Sequence, residues 1–195
     1  MKSKPEFEQE MTPMKSMQRM SVATGAALCA AAFTLSPGFA QEGAKPVNTH
    51  TDWGVYVVGE PKECYIATPP SSSTAKRSGE TVEVNRGNIQ LFVTFRPADK
   101  VVNEVSFSAG YPIRDGNAVK VNVGSSDFTL NPGSGDANGW AWPANASEDA
   151  TIVAAMRRGS KATVTGVSTR GTTTIDEFSL LGFTAALEDA EARCR

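Results

Sequence analysis

The sequence is poor in the residues that most often carry catalysis. One histidine, His50, and three cysteines occur among 195 residues. A Ser-His-Asp or Cys-His mechanism needs a histidine held by a scaffold. His50 instead stands in a polar stretch, Gln41 to Thr51, that reads as a flexible leader. Two cysteines and a distant histidine cannot complete a four-ligand zinc site. The chain has no Walker loop and no G-x-G-x-x-G after a strand. It also lacks a strong charge of either sign: 19 basic and 21 acidic residues give a net charge of −2. That balance leaves no electrostatic footprint for nucleic acid, and no basic run suits an anionic membrane surface. The expectation is therefore no catalytic residue, no metal ligand and no cofactor.

Long apolar runs are equally scarce, with one exception near the start. Lys15 and Arg19 precede a charge-free stretch, Met20 to Phe39, rich in Ala, Val, Leu and Phe. Pro37 and Gly38 break the run and Ala40 offers a small residue for cleavage. The order of charge, apolar core, breaker and small residue marks a secretory signal peptide from about Met14 to Ala40. The run is interrupted by Ser, Thr and Gly and is short for a membrane span. The expected organisation is residues 1–40 as extension plus signal, 41–52 as leader, and 53–195 as one β-rich domain. No stable membrane span follows signal cleavage in this reading.

Cys29 leaves with the signal. Cys64 and Cys194 remain, an even pair in an oxidising compartment, and a disulfide is the natural reading. Phe183, Leu187, Ala190 and Cys194 recur at intervals of four, three and four, which is one face of a helix. That stripe turns Cys194 inward, where Cys64 could meet it.

Between these points the two-residue period dominates. Trp53 to Val58 and Glu63 to Thr68 read as a hairpin around Gly59-Glu60-Pro61-Lys62. Ile89, Leu91, Val93 and Phe95 share one face of a strand, Val101, Val105 and Phe107 another, and Val119, Val121 and Val123 a third. Lys161 to Ser168 and Thr172 to Ser179 form a second hairpin. Pro69 to Gly79 is Pro/Ser-rich without period and reads as a flexible loop, and Asn131 to Asn138 as a Gly-rich one. Ser147 to Arg158 has helical marks: Ser147 as N-cap, Glu148 and Asp149 at the positive end, Arg157 and Arg158 at the negative end, Gly159 as the stop. The fold class is mainly β, an antiparallel sandwich or barrel-like domain with two short helices, one near 147–158 and one at the C-terminus.

Candidate functional residues are few. Trp140 and Trp142 share a strand face and could form a recognition platform, though core packing is the simpler role. Tyr111-Pro112 beside Gly110 could line an exposed loop. Asn145-Ala146-Ser147 matches a glycosylation sequon. Asp176-Glu177 reads as the solvated edge of a hairpin, since neighbouring strand residues face opposite ways. An interaction module would present Trp142, Tyr111, Arg170 and the Asn131–Asn138 loop. A small-ligand carrier would line an apolar pocket with Ile152, Met156, Phe183 and Leu187. A carboxylate enzyme would need two acids, such as Asp127 and Asp176, in one cleft.

The order of features resembles a known family. Trp53 opens the domain, Cys64 follows a turn, and Arg86-Gly87 precede a strong strand. Trp140 precedes a helix ending Met156-Arg157-Arg158-Gly159. Gly166 and Arg170-Gly171 follow, then the tail Phe178-Ser179-Leu180-Leu181-Gly182-Phe183-Thr184-Ala185-Ala186-Leu187, with Cys194 last. This pattern is similar to the invasion-associated locus B (IalB) family of exported proteins from Gram-negative bacteria. The resemblance implies a non-enzymatic β-sandwich domain in the periplasm, on the outer surface or secreted. It implies a protein or envelope component as partner, and, for some members, an association with host-cell invasion. It carries over no catalytic residue.

Overall fold

The computed structural model describes residues 44–195. The signal-peptide segment and Cys29 lie outside the described residues. The described residues form twelve strands, two α-helices and two short 3-10 helices, Pro97–Asp99 and Gly135–Ala137, joined by loops. In chain order the strands are β1 (Asn48–His50), β2 (Trp53–Val58), β3 (Glu63–Thr68), β4 (Ser72–Arg77), β5 (Glu80–Thr81), β6 (Gln90–Arg96) and β7 (Val101–Ser108). Then come β8 (Val119–Val123), β9 (Ser126–Pro132), β10 (Trp140–Trp142), β11 (Lys161–Val167) and β12 (Thr173–Ser179). Helix α1 (Ala146–Met156) precedes β11, and α2 (Phe183–Arg193) closes the chain.

All pairings are antiparallel, in the order β1-β2-β3-β6-β7-β10-β9-β8-β11-β12-β4-β5. The order has two ends, so the sheet is not a closed barrel. Strand β9 joins two halves. Its first part, Ser126 to Leu130, pairs with β8, and Asn131 and Pro132 pair with β10. The halves meet across one core, where Phe107 of β7 and Phe178 of β12 stand edge to face at 6.2 Å.

Alternation builds that core. Val55, Cys64, Ile66, Leu91, Val93, Phe95, Val105 and Phe107 are buried along their strands. Trp53 is fully buried, sits edge-on to Phe183 at 5.0 Å, and donates its indole N–H to the Ser179 carbonyl at 3.0 Å. The α2 stripe packs inward with Phe183, Leu187 and Ala190 buried, and Cys194 forms a disulfide with Cys64. The bond closes a span of 130 residues, which in the chain-entropy account contributes up to about 5 kcal/mol. Gly182 starts α2 at φ +85, and a Cβ there would overlap the His50 carbonyl oxygen. Only glycine lets the tail pass so close to β1.

Four local readings differ from the sequence expectation. Asn48–His50 of the supposed leader pairs with β2 as a strand. Pro69 to Gly79 contains β4, which pairs with β12 from Thr173↔Lys76 to Glu177↔Ser72. Only Ala75 of β4 is buried, so the strand carries almost no hydrophobic period; its partner's backbone supplies the pairing. Helix α1 is capped by Asn145, not Ser147. The Asn145 side chain accepts from the Ser147 and Glu148 N–H groups at 3.0 and 3.2 Å, and Glu148 accepts from the Ala144 N–H at 3.1 Å. Asn145 wins because Glu148 then falls three residues on, at capping-box spacing; its carboxylate reaches back to the Ala144 N–H, one residue before the cap, and to the Asn145 side-chain amide at 3.2 Å. The sequon asparagine is thus engaged in the cap. Last, Asp176 is fully buried rather than on a solvated edge; its partner is described below.

Candidate interaction surface

The residues between the buried ones of β3, β6 and β7 point away from the core. The solvated face of an antiparallel sheet ordinarily carries polar side chains. Here it carries a row of rings. Tyr56 stacks on Tyr65 at 4.7 Å, Tyr65 meets Phe92 at 6.0 Å, Phe92 meets Trp140 at 5.2 Å, and Trp140 stacks on Trp142 at 6.1 Å. Each ring belongs to a half-buried residue. Register explains the row: Tyr56 is the cross-strand partner of Tyr65, and Trp140 and Trp142 lie two apart on β10. Two glycines make room. A Cβ on Gly54 would stand 2.9 Å from the Tyr56 ring, and one on Gly133 would stand 2.9 Å from the Trp142 ring.

Tyr65, Phe92, Trp140 and Trp142 line an open trough of about 590 Å³. Thr94 and Ser106, both buried, are the small polar residues of its lining. Their hydroxyls bind no protein group among the described residues. At one end Arg96 donates through Nη2 to both Glu104 carboxylate oxygens at 2.9 Å, with Glu63 and Asp99 at 3.8 and 3.6 Å from its guanidinium. Asp136, exposed, also lines the trough. Burial, and then the neighbouring Tyr56 and Glu63, push the Tyr65 hydroxyl above the usual phenol range. Tyr65 therefore remains a neutral donor at physiological pH.

A second hollow, about 460 Å³, lies beside Tyr111 and Arg170. Its wall is organised by Arg86. That guanidinium donates to both Asp176 oxygens at 2.6 and 2.8 Å, to the Ala109 carbonyl at 3.0 and 2.7 Å, and to Ser73 Oγ at 3.0 Å. Ser73 Oγ in turn donates to Asp176. Arg86 also lies 4.9 Å from the Tyr111 ring centre, and the Tyr111 hydroxyl meets Thr174 Oγ1 at 2.7 Å. Burial raises the Tyr111 hydroxyl, partly offset by Thr174 and by Arg86. Gly87 and Gly110 let the two loops touch: the Gly87 N–H donates to the Gly110 carbonyl at 2.8 Å, and Gly110 sits at φ +70.

A family model for invasion associated locus B (IalB) proteins matches residues 58–191. The chain belongs to the IalB family. The match begins a few residues after Trp53 and stops just before Cys194, so both residues that frame the sequence pattern flank it. The crystal structure of invasion associated protein B from Bartonella henselae is similar at 17% identity, covering 74% of this chain and 95% of that one with a TM-score of 0.50. At such identity the likeness concerns the fold. No curated protein matches the chain.

On this IalB fold the candidate residues separate. Trp142 lines the trough, whereas Tyr111 and Arg170 line the hollow beside Arg86. Trp140 and Trp142 are both half-exposed, so neither is lost to the core. Ile152, Met156, Phe183 and Leu187 are buried in the common core, and none of them lines the trough or the hollow. Asp127 and Asp176 do not share a cleft. Register links Asp176 to Val164, Val121 and Phe128, so Asp127 takes the opposite face, where Asn122 donates to it at 3.0 Å. His50 lies 2.9 Å from Asp189 of α2. Among the described residues no group of His, Cys, Asp and Glu is placed to hold a metal ion, and no helix is long and apolar enough to cross a membrane.

Sequence reasoning missed Tyr65, Phe92 and Arg86 as surface-organising residues. Arg86-Gly87 did stand in the family pattern, but its partner lies 90 residues away. Tyr65 and Phe92 sit opposite apolar neighbours in an alternating strand, and their outward position becomes notable only once that face is seen to be uncovered.

Proposed function

We propose that this IalB-type protein is an exported, non-enzymatic module that binds another protein or an envelope component through the aromatic trough. The observation that carries the reading is the row of five rings on a sheet face where polar residues are the rule. Aromatic residues concentrate binding energy at interfaces because they bury large rigid area at small entropic cost. Export is supported by the Met14–Ala40 signal pattern and by a disulfide that suits an oxidising compartment. The destination is the periplasm, with the outer surface or the medium as further steps. Tyr111 and Arg170 form a secondary contact area at the hollow.

Two measurements test this. N-terminal sequencing of the protein from an osmotic-shock fraction should read from Gln41; a cytoplasmic, uncleaved chain would remove the export half of the proposal. Crosslinking in envelope extract should give a discrete adduct with the wild-type protein that W140A/W142A fails to give. An adduct that persists unchanged in that variant would remove the trough from the interface.

A further inference from the structure

The trough is not only aromatic but acidic. Glu63, Glu104 and Asp136 line it, against one guanidinium, Arg96. That guanidinium is already shared among Glu63, Asp99 and Glu104. Arg96 therefore cannot neutralise the rim, and no lysine lines the trough. Asp136 makes no ion pair among the described residues. Ring faces attract cations through their quadrupoles, by about 0.5–2 kcal/mol depending on solvation. Carboxylates beside such rings add charge attraction and steer approach.

We infer that the trough seats a basic peptide segment of a partner protein, with a lysine or arginine side chain against the Trp140, Phe92 and Tyr65 rings. This rests on the interaction reading above and names the chemistry of the partner. A long basic side chain has the required form: its methylene stem covers ring surface while its charged head reaches the carboxylates. The free hydroxyls of Thr94 and Ser106 accept peptide or guanidinium N–H groups. A volume of about 590 Å³ suits one or two side chains with their backbone rather than a folded domain. An acidic glycan or nucleic acid meets like charge here. A neutral glycan could use rings and hydroxyls but gains nothing from the excess of carboxylates.

The experiment is a titration of the protein with three probes: an eight-residue peptide alternating glycine with lysine and arginine, the same peptide with glutamate at the basic positions, and an N-acetylglucosamine tetramer. The readout is tryptophan fluorescence, with calorimetry beside it. Trp140 and Trp142 line the trough while Trp53 is buried, so occupancy changes part of the emission. Saturable binding of the basic peptide is expected, weakening with added salt. E63Q/D136N, at two half-exposed or exposed positions, should weaken it about 3- to 10-fold, and W140A about 3- to 30-fold. Equal affinity for the acidic peptide, or no effect of E63Q/D136N, overturns the inference. Binding of the tetrasaccharide with the basic peptide inert overturns it too, while leaving the trough a binding surface. If the basic peptide shows no saturable binding the inference fails, and the interaction reading is then judged separately by the W140A/W142A crosslinking.

Discussion

The two faces of β3, β6 and β7 make the instructive contrast. Their inward residues, from Cys64 and Ile66 to Val93 and Phe107, are almost wholly buried; β3 and β6 pack with helix α2, β7 lies against α1, and Phe107 meets Phe178 of the other half of the sheet. Their outward residues include Tyr65, Phe92, Thr94 and Ser106, with comparable bulk in the rings but an open trough above them. Apolar mass on the inner face stabilises the fold because it leaves water on folding. The same kind of mass on the outer face remains half-wet, and its remaining burial is free to accompany binding. Stability and recognition are thus divided between alternate residues of one strand, and substitutions should divide in the same way.

The largest effect is expected where the inner side holds charge. Arg86 and Asp176 are buried ion partners tying the segment before β6 to β12, β4 and the end of β7. Truncating one strands the other without water, at a cost of about 3–5 kcal/mol. R86A and D176A should each lower the urea midpoint by that equivalent. The double variant should cost less than the two singles combined, with a coupling of about 1–3 kcal/mol. Additive losses would show that the contact is incidental to the fold.

A smaller inner-face effect centres on Asp149. Its carboxylate, on α1, accepts the Val105 N–H at 2.8 Å, beside the register shift where β6 pairs with β7. Burial pushes Asp149 above the usual carboxylate range, the Val105 N–H pulls it back, and Glu104 and Glu148 add to the rise. An acid with a raised folded value contributes stability below its unfolded pKa near 3.8 and loses it as pH rises through the folded value. Ionised Asp149 is therefore a burden at neutral pH, offset by the hydrogen bond it accepts. D149N keeps the acceptor without the charge and should be at least as stable at pH 7. D149A leaves the Val105 N–H unsatisfied and should lose about 1–3 kcal/mol. Equal stability of the two variants would mean that water replaces the carboxylate.

On the outer face the expectation reverses. W142A and F92A should cost about 1 kcal/mol, from cross-strand and aromatic pairing alone, against about 3–5 kcal/mol for F107A in the core. Binding should respond in the opposite order. A loss of several kcal/mol for W142A would make the ring row a second core rather than a surface.

How much of this could be read from the residues follows from the same division. The β2–β3 hairpin, the α2 stripe and the β11–β12 hairpin are local, periodic and partly buried, and they stand where periodicity puts them. Strand β4 has one buried residue and so no period to detect; only a neighbour's hydrogen bonds define it. Alternation says which residues share a face, not what covers that face. Trp142 was therefore legible as a candidate, but the trough was not. Tyr65 and Phe92 enter it from strands that sequence distance separates from β10. The Arg86–Asp176 pair was hidden for the opposite reason: a buried charge looks like a surface charge until its partner is known.

The smallest expected effect lies at the sheet's edge, where inner and outer faces meet. Asp189 of α2 accepts from Asn48 at 2.6 Å and from Arg193 at 2.6 Å, with His50 at 2.9 Å. These donors, His50 first and then Arg193, hold its carboxyl down to about 2. A depressed acid contributes stability above its unfolded pKa near 3.8, and that stability fades as pH falls toward the folded value. The window is thus about pH 4 to 2. Because the site is partly open to solvent, screening limits the contribution to about 1 kcal/mol or less. Other acids titrate over the same range, so the informative quantity is the difference between wild type and D189N in urea midpoint from pH 5 to pH 2. That difference should shrink as pH falls. If it stays constant, the β1–α2 tie depends on shape and not on charge, and β1 is held by its pairing with β2 and by the glycine contact at Gly182.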